Sequence, residues 1–124
     1  MTKDDIIRYW RNGANEALRV AEASEKLSVY TLALFHCHLA VEKALKSAYI
    51  AEKDSSPPKT HNLWAIAEQL GIEWTKSEHD ALAELTTYAV AARYDDLPWM
   101  ERKATKETVT HWLKEAHFFV SRLL

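Results

Sequence analysis

The sequence predicts an all-α fold: an up-and-down bundle of four to five helices with two long antiparallel helices at its centre. Three observations carry that prediction. Apolar residues recur three and four positions apart over most of the chain, which gathers them on one face of a helix. No segment shows the strict apolar–polar alternation of a half-buried strand. Only two glycines and three prolines occur in 124 residues, against abundant Ala, Leu, Glu and Lys, so helix-breaking positions are few. A chain of this length is expected to form a single domain over residues 1–124, with a core that needs neither disulfide nor metal.

The first helix is expected from about Asp4 to Ser24, with Ile7, Trp10, Ala14, Ala17 and Ala21 on one stripe. Asp4 and Asp5 suit its N-terminal end, where carboxylates meet the positive end of the helix dipole. The second is expected to be capped by Ser28 and to run through Val29, Leu32, Phe35, Leu39 and Leu45 to about Ala51. Within it Ala33, Cys37, Ala40, Ala44 and Ala48 form a seam of small residues that lets another helix approach closely. The loop Asp54-Ser55-Ser56-Pro57-Pro58-Lys59 ends it, because paired prolines forbid continuation.

A short third helix is expected from about Asn62, with Leu63, Ile66, Ala67 and Leu70 facing inward and Gly71 as a left-handed C-terminal cap. Ser77, with Asp80 three residues on, resembles the start of a fourth, whose stripe is Leu82, Leu85, Ala89 and Ala92. The segment from Arg93 to Lys103, which contains Pro98, interrupts the pattern. The last helix is expected from about Thr105, with Val109, Trp112, Leu113, Ala116, Val120 and Leu123 inward.

Sixteen basic against eighteen acidic residues give a formal charge of −2, so no global basic field draws the chain to nucleic acid or anionic lipid. Only local clustering can supply a phosphate-binding patch. The N-terminus, MTKDDIIRYW, carries charges where a signal peptide would need its apolar core, and no stretch approaches about 18 uninterrupted apolar residues. A soluble cytoplasmic protein with no membrane partner is the expectation.

Several chemistries find little support in the residues. Cys37 is the single cysteine and lies in an apolar run, where it suits packing better than nucleophilic chemistry. A di-iron bundle needs Glu-x-x-His on two helices, and none occurs. His36 and His38 are two apart and point to different sides of a helix, while Glu107 and His111 read as an exposed polar pair. There is no Gly-x-Ser-x-Gly elbow and no phosphate-cradling glycine loop. No metal, cofactor or established catalytic set is therefore expected.

The run Ala33-x-Phe35-x-Cys37-x-x-Ala40-x-Glu42-Lys43-Ala44-Leu45-Lys46 resembles the second helix of HEPN domains (higher eukaryotes and prokaryotes nucleotide-binding). The likeness continues through the Pro-containing loop to Thr60-His61-Asn62-Leu63, then to Tyr88 and Arg93-Tyr94-Asp95, similar to the Tyr…Arg-Tyr-Pro-Asp segment of small prokaryotic members. The first helix, with Trp10, Ala14, Leu18 and Ala21, fits as well. Nuclease members carry an arginine followed within a few residues by a histidine that serves RNA cleavage. Here Arg93 is followed by Tyr94-Asp95-Asp96-Leu97-Pro98-Trp99-Met100, and the next histidine is His111 in the following helix. Arginine alone binds phosphate but is a poor general base.

The resemblance implies a homodimeric, non-catalytic HEPN module that binds nucleotide or RNA, or pairs with a minimal nucleotidyltransferase in a toxin–antitoxin-like system. Its candidate ligand-binding residues are Lys43, Lys46, His61, Arg93, Tyr94, Asp95, Asp96 and Trp99. Structural readings stand beside these. Glu42 and Lys46, four apart, can pair with each other; Asp95 and Asp96 can hold Arg93; Trp99 can pack rather than stack on a ligand. His61 can anchor the Pro-rich turn or supply an imidazole for catalysis. A HEPN ribonuclease with atypical residues and a purely structural interaction protein are the alternatives.

Overall fold

The computed structural model describes the backbone of residues 1–93 and 97–124, and the side chains of all of these except 92, 93 and 97. Six α-helices and no strand occur among the described residues: α1 (Lys3–Lys26), α2 (Tyr30–Lys53), α3 (Leu63–Ala67), α4 (Lys76–Arg93), α5 (Leu97–Lys103) and α6 (Lys106–Leu123). The expected all-α bundle is observed, with one short helix more than the sequence pattern indicated. That extra helix, α5, falls in the segment around Pro98, which sits in its first turn, where a proline costs no intrahelical hydrogen bond.

The two 24-residue helices α1 and α2 form the most extensive packing in the molecule. On α1, Ala14, Ala17 and Ala21 are buried, and on α2, which packs against it, Ala33, Cys37, Ala40 and Ala44 are fully buried. Small side chains on both faces allow close approach of the two backbones. Half of the 24 residues of α2 are buried because α1, α3, α4 and α6 all pack on it. A helix surrounded in this way has little amphipathic contrast, which accounts for its long apolar run.

α6 covers the pair from another side and buries Val109, Trp112, Leu113, Ala116, Phe119, Val120 and Leu123. It is tied at its surface to α1 by His117 and Glu22, 2.6 Å apart, and by Thr110, which donates to Glu25. Arg122 pairs with Glu78 and lies 4.9 Å from the centre of the Trp74 ring. The Trp74 indole N–H in turn donates to the Ala67 carbonyl at 2.9 Å, joining the loop before α4 to the end of α3.

The caps differ from the sequence reading at three places. Ser28 does not cap α2; it adopts a left-handed conformation (φ 61°) just past α1. The Val29 amide reaches back to the Ser24 carbonyl and the Ser28 amide to that of Glu25, so the turn is a Schellman ending of α1 rather than an N-cap of α2. Gly71 has no positive φ and does not close α3, which ends at Ala67. Its amide donates to Glu52 Oε1 at 2.8 Å, and an added Cβ would meet that oxygen at 2.7 Å. Finally, α4 starts from a capping box between Thr75 and Glu78, not from Ser77 with Asp80. The last helix begins where the sequence reading placed it, with Thr105 as its N-cap accepting from the Thr108 amide.

Candidate functional site: a buried glutamate that holds His61

The site is built around Glu42, at the middle of α2 and 4 % exposed. His38, Glu42 and Lys46 follow at four-residue intervals on one face of the helix, so the carboxylate has a basic group one turn before it and another one turn after. Lys46 Nζ lies 3.2 Å from Glu42 Oε2, and its side chain is nearly buried. The same ammonium sits 5.6 Å from the ring centre of Trp10 on α1, a cation–π contact that shields the charge from the core. A carboxylate and an ammonium removed from water together are tolerable because each is paired and hydrogen-bonded.

The third partner arrives from a distant part of the chain. His61, in the loop after the two prolines, donates through Nδ1 to Glu42 Oε1 at 2.9 Å, while about half of its side chain stays exposed (49 %). His38, fully buried, uses Nε2 to reach the backbone carbonyl of His61 at 2.8 Å, and its Nδ1 lies 3.8 Å from Glu42 Oε1. α2 therefore grips His61 at two points, the ring through Glu42 and the main chain through His38.

Local structure keeps that loop in register. Thr60 Oγ1 accepts from the Asn62 amide, and Asn62 Oδ1 accepts from the Ala65 amide to cap α3. The Leu63 amide donates to Thr86 Oγ1 at 3.1 Å, which pins the start of α3 onto α4. Thr86 lies two turns before Arg93, the last residue of α4.

Burial by itself would push the Glu42 carboxyl up. The hydrogen bond from His61, the charges of Lys46 and His38, and the hydrogen bond from Lys46 together outweigh it and hold the carboxyl below its ordinary value. Glu42 is thus a carboxylate at neutral pH. Cys37, the neighbour of His38, behaves in the opposite way: burial, with a smaller contribution from Glu25, pushes its thiol up to about 12. It is a packing residue, inert as a nucleophile.

Of the sequence-predicted site residues, the structure brings Lys46 and His61 together through Glu42. Lys43 is one residue round the helix and lies on the α1 side, its stem across the backbone of Gly13, where an added Cβ would touch Lys43 Cδ at 2.9 Å. Trp99 belongs to another group: its ring centre is 5.9 Å from that of Tyr88 and 6.0 Å from Lys103 Nζ. Tyr88 itself is buried and also meets Trp112. Arg93 closes α4 with its side chain outside the described residues, and Tyr94, Asp95 and Asp96 lie outside them altogether.

His38 and Glu42 are not among the predicted ligand residues, although their spacing with Lys46 is a visible sign of one polar face on an otherwise apolar helix. Beside this cluster a cavity of about 470 Å³ opens between the start of α1 and the loop after α2. Ile6, Trp10, Ile50 and Pro57 wall it, and Lys3 and Asp54 pair 3.5 Å apart at its lining. Trp10 borders this space and also meets Lys46. No group of three or more His, Cys, Asp or Glu side chains suited to a metal ion occurs among the described residues, and no helix among them is long and apolar enough to cross a membrane.

No curated protein matches the chain. Among solved structures it is similar to the crystal structure of TT1696 from Thermus thermophilus, with a TM-score of 0.81 and 26 % identity, over 95 % of this chain and 98 % of that one. The HEPN domain model matches residues 7–124, a span that runs from the second turn of α1 through α6 and takes in every member of the Glu42 cluster. The chain belongs to the HEPN domain family.

Proposed function

We propose that this HEPN domain is a non-catalytic, homodimeric cytoplasmic module that binds a nucleotide or an RNA phosphate and acts with a minimal nucleotidyltransferase in a toxin–antitoxin-like pair. The observation that carries the binding half is the treatment of His61. A half-exposed imidazole is fixed to a buried carboxylate, and its loop is pinned to α4, the helix that ends in Arg93. An imidazole and a guanidinium on neighbouring elements are suited to phosphate oxygens, one as a directed hydrogen-bond donor and the other as a forked one. Lys46 is not a phosphate ligand in this reading, because Glu42 neutralises it and its side chain is nearly buried. The pairing with a nucleotidyltransferase rests on family membership. Leu27, Val29 and Leu32, exposed at the α1–α2 turn, offer apolar area to a second copy or a partner.

The test is calorimetric titration of a short single-stranded RNA into the full chain at one fixed salt concentration, with Arg93→Ala as the variant. Binding that Arg93→Ala weakens about tenfold or more supports the reading. Equal binding by a folded Arg93→Ala protein removes Arg93 from the site.

One observation favours a second reading, ribonuclease activity. A carboxylate bonded to Nδ1 of a histidine is the arrangement that orients an imidazole for proton transfer. In RNA cleavage that imidazole would take the proton of a 2′-hydroxyl as its oxygen attacks the adjacent phosphorus, and the 5′-oxygen would leave as a hydroxyl with a proton drawn from water. Incubation with total RNA decides between them: cleavage that His61→Ala abolishes makes the protein an enzyme, and intact RNA keeps it a binding module.

A further inference from the structure

From the walls and the mouth of the cavity between α1 and the loop after α2 we infer a binding site for a free aromatic α-amino acid. Its ring lies among Ile6, Trp10, Ile50 and Pro57, and its zwitterionic end lies between Lys3 and Asp54. The inference is independent of the phosphate-binding reading above.

The ring end follows from the walls. Lys3, Ile6 and Trp10 stand three and four residues apart, so one face of α1 presents all of them to the cavity. Ile50 and Asp54, four apart at the end of α2, line it from the other side. Pro57 adds a stiff wall, because its own ring fixes φ and the following Pro58 restricts it to extended backbone. A volume of about 470 Å³ is in the range of small-molecule sites. Trp10 is held ready as a stacking face by the Lys46 ammonium, 5.6 Å from its ring centre. Paired aromatic rings gain more than their area burial alone, so a flat ring suits this space better than an aliphatic chain.

The mouth decides what the ring must carry. Lys3 Nζ and Asp54 Oδ1 lie 3.5 Å apart on side chains that are 44 % and 78 % exposed, so the pair is weak and separates at little cost. A nucleotide brings only negative charge and would set a phosphate against Asp54. An arylalkylamine would set its ammonium against Lys3. An amino acid brings both signs: its carboxylate takes Lys3, its ammonium takes Asp54, and two ion pairs replace one with the charge balanced throughout. Asp54 also caps the C-terminus of α2, whose last carbonyls favour a cation. Ser55 and Ser56 line the same cavity, and among the described residues their hydroxyls have no hydrogen-bond partner. They can donate to the ligand carboxylate.

The test is calorimetric titration of the full chain, at one pH and salt concentration, with L-tryptophan and L-phenylalanine. Tryptamine, indole-3-acetate and adenosine 5′-monophosphate serve as comparison probes. Both amino acids are expected to bind, and tryptamine and indole-3-acetate, each lacking one charge, to bind roughly fivefold or more weakly than tryptophan. Asp54→Asn, at an exposed position, is expected to weaken tryptophan by a similar factor. Ile6→Trp, which fills the space from a partly exposed position, is expected to abolish binding. No binding of either amino acid by the wild type at millimolar concentration overturns the inference. Equal affinity for tryptophan and its two singly charged analogues overturns it as well, and so does tryptophan binding that folded Ile6→Trp and Asp54→Asn proteins both retain unchanged. Adenosine 5′-monophosphate binding more tightly than the amino acids, and lost in Ile6→Trp, would overturn it in favour of a nucleobase.

Discussion

Glu42 is the residue on which the local chemistry turns, and its loss has a calculable direction. Removing it leaves the Lys46 ammonium nearly buried without its carboxylate partner and takes away the carboxylate that accepts from His61. Breaking a buried pair on one side costs about 3–5 kcal/mol, so Glu42→Ala should lower stability by that order, measured by urea unfolding. The pH dependence follows from the lowered carboxyl. Its folded value lies below the ordinary 4.5, so the unfolded chain binds the proton first on acidification. The stabilisation from Glu42 is therefore complete above about pH 4.5 and is lost as the pH falls through the lower folded value. In thermal melts from pH 7 to pH 3, the advantage of wild type over Glu42→Gln should shrink only at the acid end. A gap that stays constant would contradict the assignment. The sequence made half of this visible: Glu42 and Lys46 are four apart, and their pairing is a local rule. The meeting with His61 was not legible, because a proline loop and 19 positions separate it from Glu42, and no local rule sets where such a loop returns.

At the scale of elements, helix interiors were more readable than helix ends. The stripes of α3 and α6 are buried as their spacing indicated, and so are Leu82, Leu85 and Ala89 of α4, while the side chain of Ala92 lies outside those described; three- and four-residue periodicity is a property of the helix itself. Ends depend on which of several adjacent polar residues wins the cap. Thr75 with Glu78 closes two backbone donors reciprocally, which Ser77 with Asp80 does not, and α4 begins at Lys76 accordingly. Ser28 is drawn into a left-handed turn because only three residues separate α1 from α2. That conformation costs a non-glycine residue about 1 kcal/mol or more, so Ser28→Gly should stabilise the protein by about 0.5–1 kcal/mol, read as a raised melting temperature. Lowered stability in that variant would mean that the Ser28 side chain contributes more than its backbone strain costs.

The whole molecule explains why one helix carries both the core and the site. α2 is enclosed by α1, α3, α4 and α6, and its buried polar face reaches the surface at the half-exposed ring of His61. Packing supplies the rigidity that the cluster needs. Phe119, fully buried on α6, is part of that enclosure, and Phe119→Ala should cost about 3–5 kcal/mol without altering which residues meet Glu42. A pairing of copies through Leu27, Val29 and Leu32 should appear as a dimer in sedimentation at micromolar concentration, and Leu32→Asp should shift it to monomer. The most direct test of the central claim, that His61 is held by α2 in order to meet a phosphate, is calorimetric titration of a short single-stranded RNA into wild type and His61→Ala at the same salt concentration. The account predicts at least a tenfold loss of affinity in a variant that remains folded. Equal affinity in the two proteins would contradict it.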